Sequence, residues 1–350
     1  MRTVLGVSVG SATARATALD SADDSVRSAN VVRSFEAKGH VAAALELLES
    51  MATVQQVDRE DAVLAVPDDP ASRTRNSAYS VHRSDRYNIV SELGAQLRYL
   101  RGSGQLDGLR TVAVCDVGAS GTTVSVVDPA SGRVYCAERT SAFGGTVCDE
   151  AVRDYLLATY GADELITSSG IDSLMVAIAY AREQLSSLRV AEVPGPFVAG
   201  PIRLWRSSFD EIVERAVYSI EDWTASVIVE SPRAVNALVM VGGCAHLPLL
   251  RRVFRRDLRL PVFVPSAPES LTAHGAALLA ADEVRQRTRR PLAAVTTIRA
   301  QEFTTIRAQE FTTITAQEFT TITAQEFTTI TAQEAFGSTA YPVMPRHRSA

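Results

Sequence analysis

The chain has 350 residues, of which 46% are hydrophobic and 21% are charged, a composition that argues against collagen-like, coiled-coil and wholly disordered proteins. Its formal charge of −5, from 35 basic and 40 acidic residues, provides no general positive field, so we expect neither nucleic acid nor a membrane surface as a partner. No apolar run approaches the roughly 18 residues that cross a bilayer.

The first predicted element is a strand over residues 4–9, where apolar and small residues alternate. This alternation favours a buried strand over a cleaved leader. A glycine turn over residues 10–13 follows, and a second strand leaves it. The backbone N–H groups of such a turn can point outward together and hold phosphate oxygens, although an ordinary hairpin explains one turn equally well.

Further along the chain, short β-branched runs alternate with helical patterns, which predicts an α/β protein. Between the first turn and residue 62 we expect a mostly polar loop and one helix. The other predicted strands cover 62–66, 111–115, 123–127 and 237–241. The predicted helices cover 41–51, 88–100, 148–159, 173–188, 209–230, 248–256 and 270–287.

Two more glycine turns follow predicted strands, at 118–122 and at Gly242 and Gly243. Asp116 stands at the end of a strand immediately before the second turn. A carboxylate at that point could hold Mg²⁺, directly or through water, beside bound phosphates.

The four cysteines show neither a CxxC pair nor metal-ligand spacing, which indicates reduced thiols in a cytosolic protein without a metal–thiolate site. They are Cys115, Cys136, Cys148 and Cys244. At the other end of the chain, residues 296–334 are five near-copies of one octapeptide. This tandem repeat predicts a disordered or weakly ordered appendage, with a helix or a self-associating strand as alternatives.

Taken in order, the three turns and five further segments resemble the ATPase domain of DnaK-type heat-shock chaperones, within the superfamily of chaperones, actin and sugar kinases. The resemblance covers residues 1 to about 287. The five segments are AVLAVPDD (62–69), SELGAQLRYLRG (91–102), FGGTVCDEAV (143–152), AREQLSS (181–187) and PESLTAHGAALLA (268–280).

The resemblance implies a two-lobed actin-like ATPase fold made of duplicated ribonuclease H-like α/β domains. Lobe I would be residues 1–110 with a returning helix at 268–287, lobe II would be 111–267, and 288–350 would be the repeat and a flexible tail. ATP or ADP with Mg²⁺ would bind between the lobes.

Carried over position by position, the resemblance also implies site residues. Asp116 would organise Mg²⁺ and the attacking water, and Glu92 would be a second catalytic carboxylate. The implied cofactor-binding residues are Gly10, Ser11, Ala12, Thr13, Gly118, Ala119, Ser120, Gly121, Thr122, Gly144, Gly145, Arg182, Ser186, Gly242, Gly243 and Glu269.

Several departures from the family pattern weaken the implied hydrolysis. Ser8 stands where the family has an Asp at its first turn, and Thr123 where it has another Asp. Lys38 is the single lysine of the chain, and it does not match the family's strand lysine. Because losing one preorganised contact costs roughly 10²- to 10³-fold in rate, we expect nucleotide binding with weak or absent ATPase activity.

The sequence therefore indicates a cytoplasmic, nucleotide-binding protein of the heat-shock family. Its role would be chaperone-like or regulatory, with a protein partner and with stress response as one setting. The family's peptide-binding domain has no counterpart among these residues. An actin-like nucleotide-switched scaffold is one alternative, and a small-molecule kinase, which Ser8 disfavours, is another.

Overall fold

A computed structural model describes residues 2–33, 40–67, 81–83, 87–160, 167–195 and 200–289. All of them belong to one compact unit, Met1–Pro291. Lys38 and the octapeptide repeat lie outside the described residues. No helix in the described ranges combines the length and the apolar character that a membrane crossing requires.

A six-stranded sheet is built from the first part of the chain, in the order β3-β2-β1-β4-β6-β5. Its strands are β1 (Thr3–Val9), β2 (Thr13–Asp20), β3 (Val26–Arg33), β4 (Ala62–Val66), β5 (Val81–Arg83) and β6 (Asn88–Ser91). The first three are antiparallel neighbours, whereas β4 runs parallel to β1 and β6 parallel to β4.

Alternation along β1 places its side chains on two different cores. Leu5 and Val7 pack with Leu48 of helix α1 (His40–Gln55), on one face of the sheet. Val4 packs instead with Ala276 of helix α7 (Leu271–Arg289), on the opposite face. The six-stranded sheet is therefore covered on both sides, which is why its central strands read as nearly continuous apolar runs.

A second, five-stranded sheet has the order β13-β12-β7-β8-β9. Its strands are β7 (Val112–Val117), β8 (Thr122–Val127), β9 (Val134–Thr140), β12 (Ala237–Val241) and β13 (Val262–Phe263). One face packs on helix α2 (Glu92–Gly102), through Leu93 and Leu97. The other face carries the large apolar cluster of the molecule, which includes Phe143 and Phe209.

Of the remaining described helices and strands, a 3₁₀ turn (Arg59–Asp61) precedes β4 and the others follow β9 in the chain. They are α3 (Gly145–Tyr160), α4 (Ser168–Leu185), β10 (Val190–Pro194), β11 (Pro201–Trp205), α5 (Arg206–Glu230), a 3₁₀ turn (Gly243–His246) and α6 (Pro248–Asp257). Strands β10 and β11 form a separate antiparallel hairpin. An N-cap is visible at α4, where the Thr167 hydroxyl accepts a hydrogen bond from the backbone N–H of Gly170.

Helix α7 packs closely against α2 at Gly275 and against β1 at Gly6, and these two contacts fix its position. A Cβ built on Gly275 would lie 1.8 Å from the carbonyl oxygen of Ala95 in α2. A Cβ built on Gly6 would lie 2.1 Å from the backbone nitrogen of Ala277. Backbone therefore meets backbone at both crossings, and no side chain fits between them.

The α/β prediction is confirmed, but two local expectations were wrong. Residues 88–91 form strand β6, so the helix predicted from residue 88 begins at Glu92. The loop expected after the first hairpin contains strand β3. That strand is an edge with Val26 and Val31 exposed, so it lacks the alternation that marks a half-buried strand. The division of the chain into lobes at about residue 110 stays a prediction.

Candidate functional site

Two hairpin turns, one from each sheet, meet at their tips. In the first, the backbone N–H of Gly10 donates to the carbonyl of Thr13 at 3.0 Å. In the second, the N–H of Gly118 donates to the carbonyl of Gly121 at 2.9 Å. The N–H of Ser120 then donates to the Ser11 hydroxyl oxygen across the gap, at 3.1 Å. The two turns, 109 residues apart in sequence, are therefore in direct contact.

The Gly-Gly turn at the start of α3 lies against the second hairpin turn. The N–H of Gly145 donates to the carbonyl of Gly118, and the N–H of Thr146 donates to that of Ala119, both at 3.0 Å. A Cβ on Gly144 would lie 2.5 Å from the Ala119 carbonyl oxygen. Glycine is needed here because a larger residue would push the two turns apart.

The third glycine turn backs onto the second from the other side. Gly242 has a φ of 85°, and a Cβ there would lie 2.5 Å from both Asp116 Oδ1 and the Val117 carbonyl oxygen. The Cys244 thiol donates to the carbonyl of Gly118 at 3.4 Å. A Cβ on Gly243, by contrast, would meet nothing within 4 Å. This part of the turn therefore borders open space.

Asp116 is held in place by a buried amide from α2. The Gln96 side chain donates to Asp116 Oδ2 at 2.6 Å and lies 3.3 Å from the Thr272 hydroxyl. Glu92 begins α2, in the first turn capped by Ser91. Within the described ranges, no group of three His, Cys, Asp or Glu side chains could hold a metal ion. The Asp116 side chain adjoins the third glycine turn at Gly242, and a magnesium site at Asp116 would depend on water and phosphate for its other ligands.

A buried ion pair between Arg182 and Asp149 lies against the Gly-Gly turn. Arg182 forms a two-pronged bond with Asp149, at 2.7 and 3.2 Å, and the two side chains are 11% and 7% exposed. A Cβ on Gly145 would lie 2.9 Å from the guanidinium of Arg182. Burial raises the pKa of Asp149, and Arg182 opposes that rise. We infer that the pair is charged and that it supports the turn.

Arg182 in α4 and Ser186, which follows α4, were expected to bind the cofactor, but the hydrogen bonds of their side chains go to other partners. Arg182 is engaged by Asp149, and the Ser186 hydroxyl donates to the carbonyl of Glu183 at 2.5 Å. Their expected roles stay predictions. Burial raises the pKa of the two cysteines next to this pair, Cys148 and Cys244, the latter to about 11, which disfavours their thiolate forms.

Glu269, which was expected at the nucleotide, forms a hydrogen bond with His246 just after the third turn. Glu269 Oε2 lies 2.6 Å from His246 Nε2, and an N–H of Arg251 lies 3.2 Å from His246 Nδ1. Because arginine can only donate, Nδ1 accepts and the proton is assigned to Nε2. The bond from His246 is the main cause of a lowered pKa for Glu269.

This lowered pKa gives a pH-dependent contribution to stability. Its stabilisation is present above the unfolded pKa of about 4.3 and is lost as pH falls through the lower folded-state pKa. We expect Glu269→Gln to reduce the free energy of unfolding by up to about 1 kcal/mol at pH 7. Urea unfolding of both proteins should show this difference shrinking from about pH 5 downward. A difference that grows below about pH 5 would contradict the assignment.

The structure thus brings together the glycines of all three turns, the Gly-Gly turn and Asp116. Sequence reasoning missed Gln96 and the Asp149–Arg182 pair. It also missed Arg139 in β9, whose guanidinium reaches Ser120 and Thr123. The pairing of β8 with β9 is the signal that could have found Arg139, because residues opposite each other in a sheet share a face.

An α/β fold with three glycine turns meeting between two sheets defines the actin-like class of ATPase folds. A solved structure with this fold is the activator of 2-hydroxyisocaproyl-CoA dehydratase from Clostridium difficile, with bound ADPNP. The TM-score is 0.50 and the identity 18%, covering 83% of this chain and 98% of that one. At this identity the likeness concerns the fold alone.

Within that class, the chain belongs to the Hsp70 family, because the family model described as Hsp70 protein matches residues 20–334. The chain is 28% identical over 178 residues to a chaperone protein HscA homolog of Bordetella petrii, covering 49% of this chain and 28% of that protein. It is 27% identical over 213 residues to the chaperone protein DnaK of Cenarchaeum symbiosum, covering 55% and 32%. The matched part is therefore about a third of each relative's length.

Proposed function

We propose that this chain binds ATP or ADP, with Mg²⁺, in the space where the three glycine turns converge. The observation that carries the proposal is the set of hydrogen bonds joining those turns, from Ser120 to Ser11 and from Gly145 and Cys244 to Gly118. Turns of this kind offer backbone N–H groups to phosphate oxygens. Membership of the Hsp70 family and a fold shared with an ADPNP-bound protein support the same ligand.

In this proposal the second turn, 118–122, is the main phosphate cradle, and Asp116 carries the metal. The Ser120 N–H, now bonded to the Ser11 hydroxyl, would exchange that oxygen for a phosphate oxygen when nucleotide enters. The first turn would close over the phosphates from the other sheet, and Gly243 would border the nucleoside.

We further propose that hydrolysis is slow or absent and that the protein acts in the cytoplasm as a nucleotide-dependent regulator or chaperone-like factor with a protein partner. Ser8 lies in β1 beside the first turn, and it offers a hydroxyl where the family pattern has a carboxylate. A hydroxyl neither binds Mg²⁺ as strongly nor accepts a proton from water at neutral pH, so a catalytic contribution is lost. Nucleotide binding, spread over many backbone groups, is less affected.

Thermal unfolding with and without Mg·ATP or Mg·ADP tests this function. A ligand at 100 times its dissociation constant stabilises the folded state by about 2.7 kcal/mol, which raises the unfolding midpoint by a few degrees for a protein of this size. Asp116→Ala should reduce the shift, because the metal ligand is removed. Asp222→Ala, an exposed change on α5, should leave it intact. No shift in the parent protein would refute the proposed function.

A further inference from the structure

Arg139 lies in β9 of the second sheet, and its side chain extends toward the phosphate cradle. Thr123 in β8 lies directly opposite Asp116 on one side and Arg139 on the other. Residues paired in this way share one face of the sheet, so the three side chains form a row beside the turn at 118–122. That face is the one packed on α2, where Gln96 reaches Asp116.

The guanidinium of Arg139 is held at the turn by hydroxyl groups. It donates to the Ser120 hydroxyl at 2.9 Å and to the Thr123 hydroxyl at 3.1 Å. These bonds use two of its five N–H donors. Across the residues that the structure describes, no carboxylate lies within salt-bridge distance of this exposed side chain. A positive charge therefore stands beside Ser120, at the contact between the two hairpin turns, with no anionic partner among the described residues.

We propose that Arg139 binds the terminal phosphate group of the nucleotide in the cradle, an inference that rests on the proposed function. Its fork of donors fits two phosphate oxygens, and the same two hydroxyls hold the fork in position. Arg139 thereby supplies positive charge in a chain whose single lysine does not match the family's phosphate-contacting position. Affinity for ATP then depends on Arg139, whereas affinity for adenosine does not.

A purely structural role for Arg139, as a brace for the second turn, predicts a different result. If the guanidinium only positioned Ser120, its loss would loosen the turn without distinguishing triphosphate from monophosphate ligands. The comparison of ATP, AMP and adenosine separates these roles, because phosphate charge is the property that changes along the series.

Isothermal titration of the parent protein, Arg139→Gln and Arg139→Lys with ATP, AMP and adenosine tests the proposal. We expect Arg139→Gln to weaken ATP binding by about 10- to 100-fold, from the loss of a charge-assisted contact, and to leave adenosine unchanged. Arg139→Lys should recover part of the loss. Arg133→Gln, which removes an exposed arginine stacked on Tyr135 at the far end of the same hairpin, is the matched control and should bind like the parent.

The outcomes separate the two proposals. A parent protein that binds neither ATP nor adenosine would overturn the proposed function, and this inference with it. A parent that binds ATP and an Arg139→Gln variant that binds ATP equally well would overturn the inference alone. Equal weakening of binding for ATP, AMP and adenosine would show that Arg139 only braces the turn, and this result would also overturn the inference.

Discussion

Replacing Asp149 with alanine is expected to lower the free energy of unfolding by about 3–5 kcal/mol. The carboxylate is 7% exposed, and its partner Arg182 is 11% exposed. Removing the acid leaves a guanidinium that is both buried and unpaired, and this desolvated charge is the source of the loss. Chemical denaturation followed by circular dichroism measures the change.

Two further variants establish that burial, and not the mere presence of an ion pair, causes this loss. Asp154→Ala breaks the pair with Arg153 at the surface, where the acid is 67% exposed, and should cost below about 1 kcal/mol. Asp149→Leu combined with Arg182→Met removes both buried charges together and should recover most of the stability. A loss for Asp149→Ala as small as that for Asp154→Ala would contradict this account of the pair.

Substituting alanine for Gly275 is expected to destabilise the protein, although the same change at an open helical site would stabilise it. Alanine gains about 1 kcal/mol over glycine in a helix interior. At this position, however, the new Cβ would lie 1.8 Å from the carbonyl oxygen of Ala95, and overpacking costs typically about 1–3 kcal/mol and occasionally more. Because the two helices meet here through backbone atoms, α2 and α7 must move apart to make room for the new Cβ. We expect a net loss of about 2 kcal/mol.

Gly243→Ala is the matched control for this substitution, since its Cβ would meet nothing within 4 Å. Its free energy of unfolding should stay within about 0.5 kcal/mol of the parent value. Thermal and urea unfolding of the two variants, compared at the same pH, give the difference. Stabilisation by Gly275→Ala would show that α2 and α7 do not approach as closely as described.

The glycine turns could be predicted from the sequence because each is a local pattern, a strand followed by a glycine turn, and in the first two a second strand leaves the turn. Asp116, a carboxylate at the end of a strand, could be predicted for the same reason. The helix at 92–102 was predicted too early, because Asn88 to Ser91 form a short parallel strand whose residues also suit the helical period. Local patterns cannot decide between a strand and a helix over so few residues.

The contacts that make a site out of these turns could not be predicted locally. Ser11 meets Ser120, and Arg182 meets Asp149, only because separate elements fold together. Propensity and periodicity carry no information on such pairs. A family resemblance supplied the order of the turns, but Arg139 follows from the pairing of β8 with β9 in this chain.

Backbone hydrogen exchange with and without ATP is the most direct test that one ligand contacts all three turns. We expect slower exchange in the three turns together, at residues 10–13, 118–122 and 242–244, and also in the Gly-Gly turn at 144–145, because each would gain a bonded or buried N–H group. The β10–β11 hairpin, which carries none of the proposed site residues, should not change. Exchange that ATP leaves unaltered, or that it slows in one turn alone, would contradict the convergence of the three turns on a single nucleotide.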